Sequence, residues 1–187
     1  VLGRAGVGGS DGAIQVAASR AEDAIRRYRR EVPLAQNPAK RIAAAIDGRL
    51  PVVWGSEGTQ TVAAVRWKSQ LSENAKLPAS AAMLPELCHN DIVGLHHGHP
   101  TLRDAILLVL RIEGGHPGAD ARLKAAVSLV EEQFGAVEIV SVGGSTPLER
   151  LIDSIVLGDF VSVYAAILRG VDPTPIEAIA RLKAALA

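Results

Sequence analysis

Three times in this chain a short apolar run gives way to a glycine-containing break and then to a stretch with helical period. Leu50 to Trp54 (LPVVW) leads through Gly55-Ser56-Glu57-Gly58-Thr59 into a helical pattern from Thr61 to Leu71. Ala105 to Arg111 (AILLVLR) leads through Gly114-Gly115-His116-Pro117 into a helix from about Asp120 to Phe134. Val137 to Val142 (VEIVSV) leads through Gly143-Gly144-Ser145 into a helix from about Pro147 to Arg169. The first run is brief, all apolar and valine-containing, as a strand covered on both faces must be. Repetition of strand, turn and helix predicts an α/β domain with a mostly parallel sheet and helices on both faces.

The flanking segments complete the outline. A glycine-rich loop from Gly3 to Gly12 precedes a helix with Ser10 or Asp11 as its cap and an apolar face of Ile14, Ala17, Ala21, Ala24, Ile25 and Tyr28. Its basic end, Arg26, Arg27, Arg29 and Arg30, reads as a solvated helix terminus that complements the macrodipole rather than as a polynucleotide patch. Pro33 and Asn37-Pro38 place a boundary near Gln36, giving a connecting segment at 1–36 and a domain at 37–187. Asn37 is the expected cap of a helix from Pro38 to Ile46, and Pro173 and Pro175 open a last helix from Ile176 to Leu186.

Charge balance narrows the partners. Lys+Arg 20 against Asp+Glu 20 removes the electrostatic argument for nucleic acid or an anionic membrane surface. A single cysteine forms no internal disulfide, and no apolar run reads as spanning a bilayer, so a cytoplasmic protein is expected. The first residues, VLGRAGVGGSDG, read as the middle of a longer chain, so a fragment is expected.

The densest chemistry lies between Arg66 and Asp91 (RWKSQLSENAKLPASAAMLPELCHND), with Arg66, Lys68, Lys76, Glu73, Glu86, Cys88 and His89 in one stretch. A carboxylate and an imidazole with a lysine in reach suit proton shuttling at a carbon next to a carbonyl. The competing reading of Glu73 is a helix-end carboxylate paired with Lys76. Two turns have the composition of a phosphate cradle: Ser56, Thr59 and Thr61 after the first strand, and Ser145 and Thr146 after the third. Neither matches a nucleotide fingerprint, and hydroxyl residues at such turns are more often only helix caps. His96, His97 and His99 lie in a Gly- and Pro-marked segment without a completing cysteine or carboxylate, so an exposed loop and no metal site is expected. His116 reads the same way, and Cys88 as a small buried hydrophobe.

RWK (66 to 68), SENAK (72 to 76), LPE (84 to 86), HND (89 to 91), LGDFVSVYAAILRGVDPTPI (157 to 176) and the closing Leu182-Lys183 resemble the second half of the bifunctional phosphoglucose/phosphomannose isomerases, members of the sugar isomerase (SIS) superfamily. The similarity runs from about Asn37 to the C-terminus. It implies a three-layer αβα, flavodoxin-like SIS domain and interconversion of glucose-6-phosphate or mannose-6-phosphate with fructose-6-phosphate through a cis-enediol, with no metal or organic cofactor. By position, the resemblance makes Glu73 the base, His89 a ring-opening group supplied from the neighbouring subunit of a homodimer, and Lys183 the lysine at the ring oxygen. Ser56, Thr59, Arg66 and Asn90 are the expected substrate-binding residues, and Glu86 a supporting one. Such proteins have two SIS halves and hold the phosphate mainly with the first, so this chain is expected to carry the base without the main phosphate cradle. A sugar-phosphate-binding regulatory module is the alternative.

Overall fold

A computed structural model describes residues 11–186. The glycine-rich start up to Gly9, and Ser10 as a cap, lie outside the described residues. Four strands, β1 (Leu50–Gly55), β2 (Ser80–Met83), β3 (Ala105–Ile112) and β4 (Ala136–Val142), form one parallel sheet in the order β2-β1-β3-β4. The helices are α1 (Asp11–Tyr28), α2 (Pro38–Ile46), α3 (Thr59–Glu73), α4 (Asp91–His97), α5 (Pro117–Val130), α6 (Pro147–Leu168) and α7 (Glu177–Ala185). The expected α/β class and the parallel sheet are both present.

The central strand β3 explains the layering. Its alternate residues Ile106, Leu108 and Leu110 belong to a core shared with α1, α2, α3 and α6. Leu107 and Val109 belong to a second core with Trp54 and α5. A strand with no polar face can only be stable between two helical layers, and the two-residue period assigns the layers.

Four helical starts share one device. Asn37-Pro38, His99-Pro100, His116-Pro117 and Thr146-Pro147 each place a side-chain acceptor before a proline at the first helical position. Histidine is an unusual cap, which is why His99 and His116 read as plain loop residues in the sequence. His116 Nδ1 accepts from Gly118 N–H at 3.1 Å and starts α5 three residues earlier than its apolar period suggested. His96 and His97 correct the expected loop: they end α4, with Gly98 at φ 74 closing it, and both are exposed.

Among the described residues α6 is the longest helix, 22 residues, and long and apolar enough to cross a membrane, against the expectation that no run would be. Its apolar length is used as core. It packs α1, α2 and α3 and buries Leu157, Val161, Ala165 and Ala166, while Glu149 and Asp153 are buried in polar contacts. Trp67 on α3 is fully buried and donates its indole N–H to Ser154 O at 2.8 Å. Ser154 Oγ donates to Gln60 Oε1 at 2.7 Å, so two buried polar side chains satisfy each other across the same seam.

The expected boundary near Gln36 is a change of element without a gap in packing. Ala17, Ala24 and Tyr28 of α1 are buried, and Asn37 donates to Tyr28 O at 2.8 Å. Ile14 and Ile25, expected on the same apolar face, are 57% and 47% exposed. The four arginines at the end of α1 all meet carboxylates: Arg26 pairs with Asp23 and Glu22, Arg27 with the buried Asp153 at 2.8 Å, and Arg29 and Arg30 with Glu31.

Candidate active site

The path of α3 decides which candidate residues can meet. The helix starts just past the carboxyl end of β1 and runs back along the sheet, so Thr59 and Glu73 stand about 20 Å apart at a rise of about 1.5 Å per residue. β2 then returns the chain to the carboxyl edge, where a 3-10 turn at Glu86–Cys88 delivers His89 and Asn90. One chain therefore holds Ser56, Thr59, His89 and Asn90 at the carboxyl edge and Glu73 at the amino edge. The structure does not bring Glu73 and His89 together within a chain.

At the amino edge an open groove of about 520 Å³ lies between the last turn of α3 and the start of α7. Ser69, Ser72 and Glu73 line one side; Ile176 and Ile179 line the other. Glu73 is exposed. Lys76 is not its ion-pair partner: the ammonium donates instead to the Glu73 backbone carbonyl at 2.6 Å and to Pro175 O at 2.7 Å. The carboxylate is thus left for other use. Lys183 does not line the groove, but it stands four residues beyond Ile179, one turn further along the same side of α7. Its side chain is exposed.

The other expected binding residues are differently engaged. Arg66, midway along α3, makes a two-point contact with Asp159 of α6 at 3.2 and 2.9 Å. It staples the two helices, away from the groove. Ser56 is 4% exposed, and its Oγ is buried without a hydrogen-bond partner. The space beside it, bordered by His116 and Asp120, is about 10 Å³, room for about one water and not for a phosphoryl group. Thr59 is half-buried, and its hydroxyl accepts weakly from Gln60 Nε2 at 3.4 Å. Asn90 caps α4, its Oδ1 accepting from Asp91 N–H at 2.7 Å. Glu86 accepts from Asn90 at 3.5 Å.

The turn after β4 has a resident anion. Glu149 takes the Thr146 hydroxyl at 2.9 Å and the Ser145 N–H at 3.4 Å, while Thr146 Oγ accepts from Glu149 N–H at 3.2 Å. This is a variant of the capping box in which the carboxylate reaches the N–H before the cap and the cap's hydroxyl, so these donors are taken by the protein's own anion. Of the two readings of Ser145 and Thr146, the helix cap holds. Cys88 is half-buried against the second core, less enclosed than expected. Among the described residues no group of His, Cys, Asp or Glu is arranged to hold a metal ion.

Comparison with known proteins bears on this arrangement. The family model described as the bacterial phospho-glucose isomerase C-terminal SIS domain matches residues 35–186. A bifunctional phosphoglucose/phosphomannose isomerase of Caldicellulosiruptor bescii is 36% identical over 165 residues, covering 88% of this chain and 49% of that protein. One from Aquifex aeolicus is 35% identical over 164 residues, covering 87% and 50%. The chain thus spans about half the length of the curated relatives it matches. Among solved structures, a glucose-6-phosphate isomerase like protein from Thermus thermophilus superposes with a TM-score of 0.72 at 22% identity, over 87% of this chain and 54% of that one. The C-terminal domain of glucosamine-fructose-6-phosphate aminotransferase from Francisella tularensis gives 0.63 at 12% identity, over 86% and 45%. At such identities these two likenesses carry the fold alone. The family match and the curated relatives carry more: this chain belongs to the bacterial phospho-glucose isomerase C-terminal SIS domain family.

Proposed function

We propose that this chain is the base-bearing half of a phosphosugar isomerase that interconverts glucose-6-phosphate or mannose-6-phosphate with fructose-6-phosphate. The observation that carries the reading is the unpaired, exposed Glu73 carboxylate on a groove with room for a sugar. The relatives named as phosphoglucose/phosphomannose isomerases support it. In this reading Glu73 takes the proton from C2 of the open-chain aldose and the electron pair of that bond forms the enediolate. The same carboxyl group returns the proton to C1 while the proton of the C2 hydroxyl passes to the oxygen on C1, so that C1 gains its hydroxyl and C2 becomes the ketone. Lys183, on the α7 side of the groove, would offset the negative charge that develops on oxygen. Ring opening needs a group that donates to the ring oxygen, and His89 of the same chain lies at the far edge of the sheet. His89 of a second subunit fits that role, which makes a homodimer with shared sites part of the proposal. The phosphate would be held by the first half that the relatives carry.

The test is Glu73→Gln in the full-length protein with fructose-6-phosphate as substrate. Turnover is expected to fall by roughly 10²–10⁴-fold with substrate affinity kept, as for loss of a general base. Unchanged turnover in the folded variant overturns the reading. Lost affinity with no turnover in the parent protein favours a sugar-phosphate-binding regulatory module.

A further inference from the structure

Lys76 has no place in the chemistry proposed above, yet its surroundings are the most constrained on the groove. Its φ is 54°, the only positive value at a non-glycine residue among the described residues. A side chain is carried in that left-handed region only where neighbouring structure holds it there. The ammonium has three donors, and all three are taken by backbone oxygens: Glu73 at 2.6 Å, Pro175 at 2.7 Å and Pro173 at 3.2 Å. One acceptor belongs to the helix that carries Glu73. The other two belong to the connection that leads into α7.

That connection is shaped to meet the lysine. Asp172 accepts the Thr174 N–H at 2.8 Å, forming a turn across Pro173. Its carboxyl is held below the usual carboxylate range by the Thr174 hydrogen bonds first and by the Lys76 charge as a further cause. α7, by contrast, does little to hold itself in place. Every residue from 177 to 186 is exposed, none belongs to either core, and its ion pair, Arg181 with Glu177, is internal to the helix. The side of α7 that faces Glu73 is therefore positioned at its root.

We infer that Lys76 is a positioning residue: its ammonium pins the root of α7 to the last turn of α3 and so sets the spacing between Glu73 and the α7 side that carries Lys183. The inference rests on the assignment of Glu73 as the base. Lys76 itself touches no reacting atom. It ties the last turn of α3 to two carbonyls of the α7 connection, 97 and 99 residues further along the chain, through three charge-assisted hydrogen bonds in all.

Lys76→Met and Lys76→Arg separate this role from general stability. Amide hydrogen exchange across residues 177–186 is expected to quicken by about tenfold or more in Lys76→Met, with β3 and the body of α3 protected as in the wild type. Lys76→Arg keeps the charge and several donors, and is expected to recover much of the protection. In the full-length protein, Lys76→Met should lower kcat by about tenfold or more and leave KM within about twofold, because a spacing error acts on the transition state. Equal exchange of 177–186 in wild type and Lys76→Met overturns the inference, as does a uniform rise over the whole core. These outcomes are read without an activity assay. Failure of the isomerase reading shows separately, as a Glu73→Gln protein that turns over normally.

Discussion

A carboxylate at a helix end is ordinarily neutralised by its nearest cation, and the i,i+3 spacing of Glu73 and Lys76 invites that pairing. The structure gives the lysine to three carbonyls instead and leaves Glu73 open to the groove. Lys183 is equally unengaged on an exposed helix, so its replacement tests chemistry with little effect on folding. Lys183→Ala is expected to change stability by no more than about 0.5 kcal/mol in thermal unfolding, and to lower turnover of the full-length protein by more than about tenfold. A second residue-scale expectation concerns the two tyrosines, the only ones in the chain. Burial pushes the Tyr28 phenol up, helped by the nearby Asp153 charge, and burial pushes Tyr164 up as well. For groups whose folded pKa is raised, the associated stability is fully present below the unfolded value of about 10 and drains as pH rises through the folded values. Tyrosinate absorbance should therefore lag that of free tyrosine on alkaline titration, and unfolding should abolish the lag.

At the scale of elements, the groove is supported by the close packing of α3 on α6. A Cβ on Gly158 would lie 2.7 Å from Trp67 Cε2 and closer still to the indole nitrogen and Cδ1, and the fully buried ring cannot move aside cheaply. Gly158→Ala should destabilise by about 1–3 kcal/mol in denaturant unfolding. Thr146→Ala removes the cap of α6 and half of its capping box, and should destabilise by about 0.5–2 kcal/mol. The sequence made legible the elements with strong local signals: the three apolar strands, the Asn37 and Thr146 caps, and the long α6. β2 was not legible because Ser80–Met83 (SAAM) is three small residues and a methionine with no β-branched side chain, a strand made by pairing with β1 rather than by propensity. α4 was hidden by Gly94 and by the two histidines, His96 and His97, that end it. Glu73 and His89 stood out through motif resemblance, whereas the employment of Lys76, Arg66 and Glu149 depends on partners that local spacing does not reveal.

At the scale of the molecule, the separation of Glu73 from His89 along α3 is the feature with most consequence. A domain whose proposed base and ring-opening group sit at opposite ends of its sheet completes no site alone. The two groups can serve one substrate only if a second copy turns its carboxyl edge toward the first copy's groove. Two-fold symmetry would then build two equivalent sites from two chains. Subunit mixing tests this most directly. Full-length Glu73→Gln and full-length His89→Ala are each expected to be inactive toward fructose-6-phosphate. After equilibration in equal amounts, half the dimers are mixed and each mixed dimer regains one of its two sites, so about a quarter of wild-type activity should return. A mixture that stays as inactive as its components, although dimers exchange, would contradict the shared site and with it the account given of this chain.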